Sequence, residues 1–153
     1  IKEVPLQTVV AEVLKKNKKV LIAEKIKIQM EGLETTVFTD SKWMVFVLNQ
    51  IVSNSIKYRG EDPAISFSAA KRKEQVVFTI RDNGIGISAG EMGRVFEKGF
   101  TGSNGRGKQK STGIGLYLCQ KLCSRLGHTI HLFSKEGEGT EVSIIFPRNS
   151  YYL

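Results

Sequence analysis

Residues 82–86 read Asp82-Asn83-Gly84-Ile85-Gly86, and the apolar run Val76-Val77-Phe78-Thr79-Ile80 leads into them. Such a run predicts a strand that carries one carboxylate into a tight turn. Gly84 and Gly86 tolerate positive φ and lack a Cβ, so another chain segment or a planar ligand can approach the backbone. A simple turn with a capping aspartate has the same local pattern, and the five residues alone leave both interpretations open.

The composition predicts one globular domain over residues 1–153, because 41% of the 153 residues are hydrophobic. The longest apolar run, residues 43–48, is far shorter than the roughly 20 residues of a membrane-spanning helix. We therefore expect no insertion of this domain into a membrane. The chain begins with Ile1 and has no signal-peptide pattern, which suggests a fragment of a longer protein.

Two cysteines, Cys119 and Cys123, lie four residues apart among leucines at helical spacing. This pattern predicts that both point into a core. Zinc binding would need about four ligands, and two cysteines one turn apart on a helix are poorly placed for a disulfide. Reduced, structural cysteines in a cytosolic domain fit best.

The net charge is +8, and the basic residues are unevenly distributed. Acidic residues are absent between Glu97 and Glu136, and the glycine-rich stretch 98–110 within this interval carries several lysines and an arginine. We expect this stretch to bind phosphate. A second group of lysines, at positions 15, 16, 18 and 19, fits a solvated surface better.

Hydrophobic periodicity and turn residues predict the order of helices and strands. Helices are predicted over residues 4–17, 40–58, 88–96 and 113–126, with Asp40 as the N-cap of the second. Strands are predicted over residues 26–31, 37–39, 65–69, 75–81, 129–134 and 140–146. Residues 99–107 are expected to form a loop. This order predicts an α+β fold, a two-layer α/β sandwich with helices on one face of the sheet.

The predicted helix 40–58 is largely apolar, but Gln50, Ser53, Asn54 and Lys57 form one polar strip on it. A buried polar strip needs internal hydrogen-bond partners or a polar ligand. An amide oxygen from Asn54 can ligate a hard cation, and the ammonium group of Lys57 can meet a phosphate one turn later. A strip satisfied within the protein remains the alternative if the helix is considered alone.

Two further glycine motifs occur in the second half of the chain. Residues 111–116 read Ser111-Thr112-Gly113-Ile114-Gly115-Leu116 at the expected start of a helix, where free N–H groups suit phosphates. Residues 137–140 read Gly137-Glu138-Gly139-Thr140, a hairpin turn that ends in a hydroxyl group. Either motif alone is equally compatible with a purely structural role.

Together and in this order, the motifs resemble the ATP-binding catalytic domain of sensor histidine kinases. The resemblance covers residues 4–147 and rests on five motifs: Asn54 on a helix, Asp82-x-Gly84-x-Gly86, Phe96-x-x-x-Phe100, Gly113-x-Gly115 and Gly137-x-Gly139-Thr140. The superfamily also contains the gyrase, mismatch-repair and heat-shock chaperone ATPases. Its Bergerat fold implies a mixed sheet of about five strands packed against three helices.

The resemblance implies ATP and Mg²⁺ as cofactors and assigns roles by position. Asn54 would be the Mg²⁺ ligand and, with Lys57, would serve phosphoryl transfer; Asp82 would accept a hydrogen bond from the adenine amino group. Phe96 and Phe100 would anchor a lid over residues 96–112, although Ser111 stands where the family often has glycine. The remaining nucleotide contacts implied are Tyr58, Gly84, Gly86, Lys98, Thr112, Gly113, Gly115, Leu116 and Thr140.

The resemblance also implies how the domain would act. Hydrolytic relatives place a glutamate four residues before the Mg²⁺ asparagine, and Gln50 at that position cannot accept a proton. We therefore expect phosphoryl transfer to a histidine; a related serine kinase or ATPase is the alternative. His128 and His131 lack the sequence context of a phosphoacceptor and fit polar residues at a strand edge, so the acceptor should lie outside the chain.

The expected partners follow from the same resemblance. They are a phosphoacceptor domain of the same protein, in cis or across a homodimer, and a response regulator, whereas nucleic acid is not expected. The isolated domain should be monomeric and should form the cytoplasmic part of a membrane-anchored kinase. Residues 40–43, 53–58 and 97–102 further resemble the small membrane kinases that sense antimicrobial peptides.

Overall fold

The computed structural model describes residues 1–88 and 115–147. The helices in these ranges are α1 (Leu6–Lys16), α2 (Lys18–Ala23), α3 (Ser41–Lys57) and α4 (Gly115–Arg125). The strands are β1 (Lys2–Pro5), β2 (Lys27–Glu31), β3 (Thr36–Thr39), β4 (Ala64–Arg72), β5 (Gln75–Asp82), β6 (Thr129–Lys135) and β7 (Gly139–Pro147).

The main sheet has five strands in the order β2-β4-β5-β7-β6. The β2–β4 pair is parallel, and the other three pairs are antiparallel. The predicted mixed five-stranded sheet is thus confirmed. Its central strands are β4, β5 and β7, and the last two carry the start of the Asp82 motif and the end of the Gly137 motif.

One face of this sheet is apolar and buried, because inward-pointing residues alternate along each central strand. On β5, Phe78 and Ile80 are almost fully buried, and on β7 the same is true of Ile144 and Phe146. Helix α3 lies on the core with its own buried residues, among them Met44 and Leu48. The α+β sandwich with helices on one side of the sheet is therefore confirmed.

Helix α3 begins where the sequence predicts, because Asp40 caps it. The Asp40 carboxylate accepts a hydrogen bond from the Trp43 backbone N–H at 3.0 Å, which satisfies one of the otherwise unpaired donors of the first turn. The helix ends at Lys57, with Tyr58 as its C-cap residue. The polar strip of Gln50, Ser53, Asn54 and Lys57 therefore lies in the C-terminal half of the helix, next to Tyr58.

The N-terminal region differs from the prediction of a helix over residues 4–17. Residues Lys2–Pro5 form β1, which pairs antiparallel with β3 in a separate two-stranded sheet. The first helical N–H groups of α1 then donate to the turn before β3: Leu6 to the Thr35 carbonyl at 3.0 Å, and Gln7 to the Leu33 carbonyl at 2.9 Å. This pairing partner is about 30 residues away, so local periodicity could not indicate it.

Helix α2 is a second difference, because the sequence predicted no helix over residues 18–23. The Asn17 side chain separates the two helices by donating to the Val13 carbonyl and to the Asn49 carboxamide oxygen, both at 2.8 Å. Three of the four helices in the described residues, α1, α3 and α4, correspond to predicted helices, and α2 is additional. The lysines at 15, 16, 18 and 19 are all exposed, as the interpretation of a solvated surface requires.

The expectation for the cysteines is confirmed, and that for one histidine is wrong. Cys119 and Cys123 are both completely buried, and burial raises their thiol pKa values to about 12 and about 11. His128 was predicted to be a polar residue at a strand edge, but its side chain is only 5% exposed and its ring packs against Phe146 in a tilted arrangement with the ring centres 4.5 Å apart. Only His131, which is exposed on the edge strand β6, matches that prediction.

None of the helices within residues 1–88 and 115–147 has the length and hydropathy of a membrane-spanning segment.

Candidate functional site

The apolar face of the main sheet turns polar in its last row. Along β5 the inward positions run Phe78, Ile80 and then Asp82, and Asp82 pairs with Thr140 of β7. Thr140 in turn pairs with Ser134 of β6. Cross-strand partners point to the same face, so the carboxylate and the two hydroxyls stand side by side at the rim of the core.

Helix α3 mirrors this change from apolar to polar. Val47, Ile51 and Ser55 follow one another at intervals of four residues on the side that packs on the sheet, and Ser55 is only 6% exposed. Its hydroxyl donates to Asp82 Oδ2 at 2.7 Å. The polar ends of the helix and of the sheet therefore meet at one corner of the sandwich.

Asp82 is held by three hydrogen bonds. Besides the bond from Ser55 to Oδ2, Oδ1 accepts the Gly84 N–H at 2.9 Å and the Thr140 N–H at 3.2 Å. Burial raises the pKa of this carboxyl, and the three donors oppose that rise by stabilising the charged form. The half-buried carboxylate keeps one acceptor position on Oδ2 that no described residue occupies.

Close backbone approach explains the first glycine of the Asp82 motif. A Cβ on Gly84 would lie 2.5 Å from the Tyr58 carbonyl oxygen, which also accepts the Ile85 N–H at 3.0 Å. The loop after β5 is thus fixed to the C-terminal end of α3. The sequence allows positive φ at both Gly84 and Gly86, but of these two glycines only Gly86 adopts it, with φ +75°.

The second glycine brings the same loop against the β6–β7 turn. A Cβ on Gly86 would overlap the Lys135 carbonyl oxygen, and a Cβ on Gly139, whose φ is +120°, would overlap the Asp82 carbonyl oxygen. Between them, the Gly137 N–H donates to the Ile85 carbonyl at 2.7 Å. The Asp82 and Gly137 motifs, 55 residues apart in sequence, form one packed backbone cluster.

Ser134 lies at the centre of a small hydroxyl network in this cluster. Its Oγ donates to the Gly139 carbonyl at 2.9 Å, accepts the Ile87 N–H at 2.8 Å, and lies 2.8 Å from Thr140 Oγ1. The network ties the end of the loop after β5 to the start of β7. Thr140 is half-buried and pairs with Asp82 across β5 and β7, so the two side chains lie on the same face of the sheet.

The end of α3 supplies the remaining polar groups of the corner. Asn54 and Lys57 are partly exposed, and the Tyr58 N–H donates to the Asn54 carbonyl at 3.0 Å. The Lys57 ammonium lies 5.3 Å from the centre of the Tyr58 ring, and partial burial lowers its pKa. An amide and a cation therefore lie in the last turn of α3, the same turn that carries Ser55.

Of the residues predicted for the site, the structure brings together Asn54, Lys57, Tyr58, Asp82, Gly84, Gly86 and Thr140. Gly115 begins α4, and Leu116 is half-buried in its first turn. Four predicted contacts, Lys98, Phe100, Thr112 and Gly113, lie outside the described residues, as do Phe96 and the predicted lid and short helix at 88–96 beyond residue 88.

Two residues of the corner, Ser55 and Ser134, were not predicted. A signal existed for Ser55, because it continues the apolar spacing of Val47 and Ile51 and so had to be buried with a partner. No such signal existed for Ser134, since its role depends on the pairing of β6 with β7. The polar strip itself is less buried than the sequence suggested, with Ser53 exposed and Gln50 half-buried.

Known proteins share both the sequence and the fold. Residues 39–150 match the family described as histidine kinase-, DNA gyrase B-, and HSP90-like ATPase. The sensor histidine kinase YxdK of Bacillus subtilis is 33% identical over 148 residues, which cover 95% of this chain and 46% of YxdK. The sensor protein kinase GraS of Staphylococcus aureus is 38% identical over 115 residues, covering 75% of this chain and 33% of GraS.

Solved structures agree with this assignment at the level of the fold. The catalytic domain of histidine kinase ThkA superposes with a TM-score of 0.81 at 23% identity and covers 96% of this chain and 95% of that domain. The mycobacterial sensor histidine kinase MprB gives the same TM-score at 19% identity, over 95% and 97% of the two chains. The chain spans less than half the length of YxdK or GraS. It belongs to the histidine kinase-, DNA gyrase B- and HSP90-like ATPase family.

Proposed function

We propose that this domain binds Mg·ATP at the corner formed by Asp82, Thr140 and the end of α3, and transfers the γ-phosphoryl group to a histidine outside the chain. The observation that carries the proposal is the hydrogen-bonded row of Ser55, Asp82 and Thr140 at the rim of the core. A carboxylate with a remaining acceptor position, half-buried beside apolar residues, suits a flat base that carries an amino group.

The base end of this pocket is supplied by β5 and β7. Asp82 Oδ2 would accept a hydrogen bond from the adenine amino group, and the Tyr58 ring would line the pocket. The Thr140 hydroxyl would hold a water at the base. Gly84 and Gly86 would place backbone near the base, since their missing side chains already let the loop pack against Tyr58 and Lys135.

The phosphate end is supplied by α3 and by residues predicted from sequence. Lys57 would meet a phosphate with its ammonium group, whose pKa is lowered by partial burial. We expect Lys98, Phe100, Thr112, Gly113, Gly115 and Leu116 to complete the nucleotide site from the lid and the start of α4. Phosphoryl transfer of this kind depends on positioning and charge neutralisation rather than on a protein nucleophile.

Asn54 fits Mg²⁺ as a single protein ligand. Among the described residues, no group of three or more His, Cys, Asp or Glu side chains could hold a metal ion. Mg²⁺ commonly keeps several waters and binds through one or two protein oxygens together with substrate phosphates. The half-exposed Asn54 carboxamide, one turn before Lys57, suits an ion that arrives with the nucleotide. The Mg²⁺ ion would then neutralise phosphate charge during transfer.

The two histidines of the chain are poorly placed as phosphoryl acceptors. The His128 ring is buried, and its Nε2 is hydrogen-bonded to Thr39 Oγ1 at 2.8 Å. His131 pairs with Ser143 in the main sheet and points away from the face that carries Asp82. The acceptor would therefore belong to a dimerisation domain of the same protein, reached in cis or across a homodimer.

The serine kinase or ATPase alternative is not favoured, because the relatives YxdK and GraS are sensor histidine kinases. Gln50, one turn before Asn54 on α3, offers no base to activate water. A response regulator would receive the phosphoryl group next. A monomeric single domain over residues 1–153, attachment of the parent protein to a membrane on the cytoplasmic side, and sensing of antimicrobial peptides stay predictions.

Titration calorimetry with a non-hydrolysable ATP analogue tests the site. Asp82→Asn removes a charged acceptor worth about 1.5–3 kcal/mol, so affinity should fall about tenfold to a hundredfold with or without Mg²⁺. Asn54→Ala should weaken only the gain in affinity that Mg²⁺ adds. Asp62→Asn and Ser53→Ala are matched controls, because both side chains are exposed and lie outside the corner.

Phosphoryl transfer is tested separately with labelled ATP and the full-length protein. Acid-labile, alkali-stable phosphate on a histidine outside residues 1–153 is expected. Phosphoserine on the full-length protein would favour the serine kinase instead. Unchanged affinity of both Asp82→Asn and Asn54→Ala for the analogue would remove the site assignment.

A further inference from the structure

The hydrogen bonds around Ser134 determine where the protons of two hydroxyls lie. A serine hydroxyl has one proton and two lone pairs. The Ser134 proton is used on the Gly139 carbonyl at 2.9 Å, and one lone pair accepts the Ile87 N–H at 2.8 Å. The 2.8 Å contact with Thr140 Oγ1 must then be made by the second lone pair of Ser134, which makes Thr140 the donor.

This assignment changes what Thr140 can offer to a ligand. The only proton of the Thr140 hydroxyl is directed to Ser134. Thr140 Oγ1 can therefore act toward a ligand only as a hydrogen-bond acceptor. The Asp82 carboxylate is likewise only an acceptor, because an ionised carboxylate has no proton to donate. Its oxygens already receive hydrogen bonds from Ser55, Gly84 and Thr140. Two acceptors therefore stand next to each other in the last row of the sheet.

We propose that Ser134 is a positioning residue that determines base specificity by holding the Thr140 hydroxyl as an acceptor. The inference rests on the proposed binding of a nucleotide at this corner. Two neighbouring acceptors match a base or a bound water that donates, as a 6-amino purine does. A 6-keto purine places an oxygen toward the same acceptors, and leaving buried polar groups unpaired in this way is what makes a site reject a near-isosteric ligand.

Replacement of Ser134 gives an expectation that simple loss of packing does not. In Ser134→Ala the Thr140 hydroxyl is released and can rotate its proton toward the ligand. Binding of a 6-keto nucleotide should then improve relative to ATP, because Thr140 can donate to the keto oxygen. Wild type should prefer ATP over inosine triphosphate, and Ser134→Ala should reduce this preference. One added neutral hydrogen bond corresponds to a reduction of about three- to tenfold in the ratio of the two affinities.

The test measures affinity for ATP and for inosine triphosphate, both with Mg²⁺, on this chain and its variants. Ser143→Ala is the matched control, since Ser143 is also on the main sheet but its 3.5 Å contact is with Thr79 on the other face. It should leave the ratio unchanged. Ser134→Thr restores the hydroxyl and should restore the ratio.

A double-mutant cycle separates Ser134 from its proposed target. In a Thr140→Val background, Ser134→Ala should no longer change the ratio, because no hydroxyl remains to be reoriented. A ratio unchanged by Ser134→Ala in the wild-type background would overturn the inference while leaving ATP binding intact. Failure of the wild-type chain to bind ATP would instead remove the proposed function itself.

Discussion

Asp82 carries a charge at a position where its surroundings oppose charge. Burial raises its pKa, and the donors from Ser55, Gly84 and Thr140 recover only part of the penalty. A residue chosen for stability alone would be neutral here. A carboxylate at this position therefore costs the folded state some stability, which fits the binding role proposed for Asp82.

Asp82→Asn should leave the melting temperature unchanged or raise it at neutral pH. An asparagine is nearly isosteric: its oxygen can accept from the Gly84 and Thr140 N–H groups, and its amide can donate to Ser55 Oγ. The variant removes a buried charge without creating a cavity. Thermal unfolding by circular dichroism, alongside the binding measurement, shows whether loss of affinity and loss of stability are separate.

The same variant predicts a pH dependence of known sign. Because the pKa of Asp82 is raised in the folded state, that state binds the proton more tightly than the unfolded chain does. As pH falls through the raised value, the free energy of unfolding of the wild type should increase relative to Asp82→Asn, and the difference should level off below the ordinary aspartate pKa. A difference that widens in the opposite direction on acidification would contradict the assignment of desolvation as the main cause.

Sequence reasoning predicted Asp82, Gly84 and Thr140 for the site but not the hydroxyl groups of Ser55 and Ser134. The apolar run followed by Asp82 and two glycines is a local pattern, so it can be recognised without the fold. The donor Ser55 is 27 residues away, and Ser134 acts on Thr140 only through strand pairing. Hydrogen bonds between distant hydroxyls leave no periodic signal in a sequence.

At the scale of elements, the loop after β5 and the β6–β7 turn behave as one unit. Gly86 approaches Lys135, Gly139 approaches Asp82, and Ile85 accepts from Gly137. The unit depends on backbone contacts that no side chain could replace. Its stability should therefore be more sensitive to added methyl groups than to loss of surface charge.

Gly86→Ala should destabilise the domain more than Gly137→Ala. Both residues have positive φ, which costs about 1–2 kcal/mol for an alanine, but a Cβ on Gly137 meets nothing within 4 Å. A Cβ on Gly86 would overlap the Lys135 carbonyl, which adds about 1–3 kcal/mol. Urea unfolding of the two variants isolates the effect of close approach, and equal losses would show that the loop can move away from β6.

The elements themselves were predicted to different degrees. Helix α3 and strands β4 and β5 were recognised because the Asp40 cap and the hydrophobic periodicity are local features of the sequence. The helix predicted over residues 4–17 includes the last two residues of β1, since four residues ahead of an amphipathic helix carry too little pattern of their own. The identity of β1 depends on pairing with β3.

At the scale of the whole molecule, a buried hydrogen bond links the two sheets. Thr39, at the end of β3, is fully buried, and its Oγ1 lies 2.8 Å from His128 Nε2, just before β6. Among the described side chains, the His128 Nδ1 is the one buried polar atom without a hydrogen-bond partner. The ring is therefore held as the neutral form in an apolar setting.

This arrangement predicts a loss of stability in mild acid. Burial lowers the pKa of His128 to about 4, weakly opposed by the nearby Gly127 backbone, from an ordinary value of 6.5. The unfolded chain then binds a proton before the folded one does, so the free energy of unfolding should decrease as pH falls from about 6.5 to about 4. Urea titrations across this range measure the slope.

The two histidines provide their own control for this experiment. His128→Gln removes the buried imidazole, and the part of the slope that depends on it should disappear. His131→Gln changes an exposed side chain on β6 and should keep the wild-type slope. The same slope in both variants would mean that carboxylates, not His128, cause the acid sensitivity.

The β1–β3 pairing has a mechanical consequence for the domain. Four residue pairs, from Lys2 with Thr39 to Pro5 with Thr36, clamp the first residues of the chain to the strand that leads into Asp40. Asp40 caps α3, and the far end of that helix carries Asn54, Ser55 and Lys57. The paired strands and the capped helix leave few freely rotating backbone bonds between Lys2 and the C-terminal end of α3. A force applied to the backbone at Lys2 should therefore displace that end of the helix.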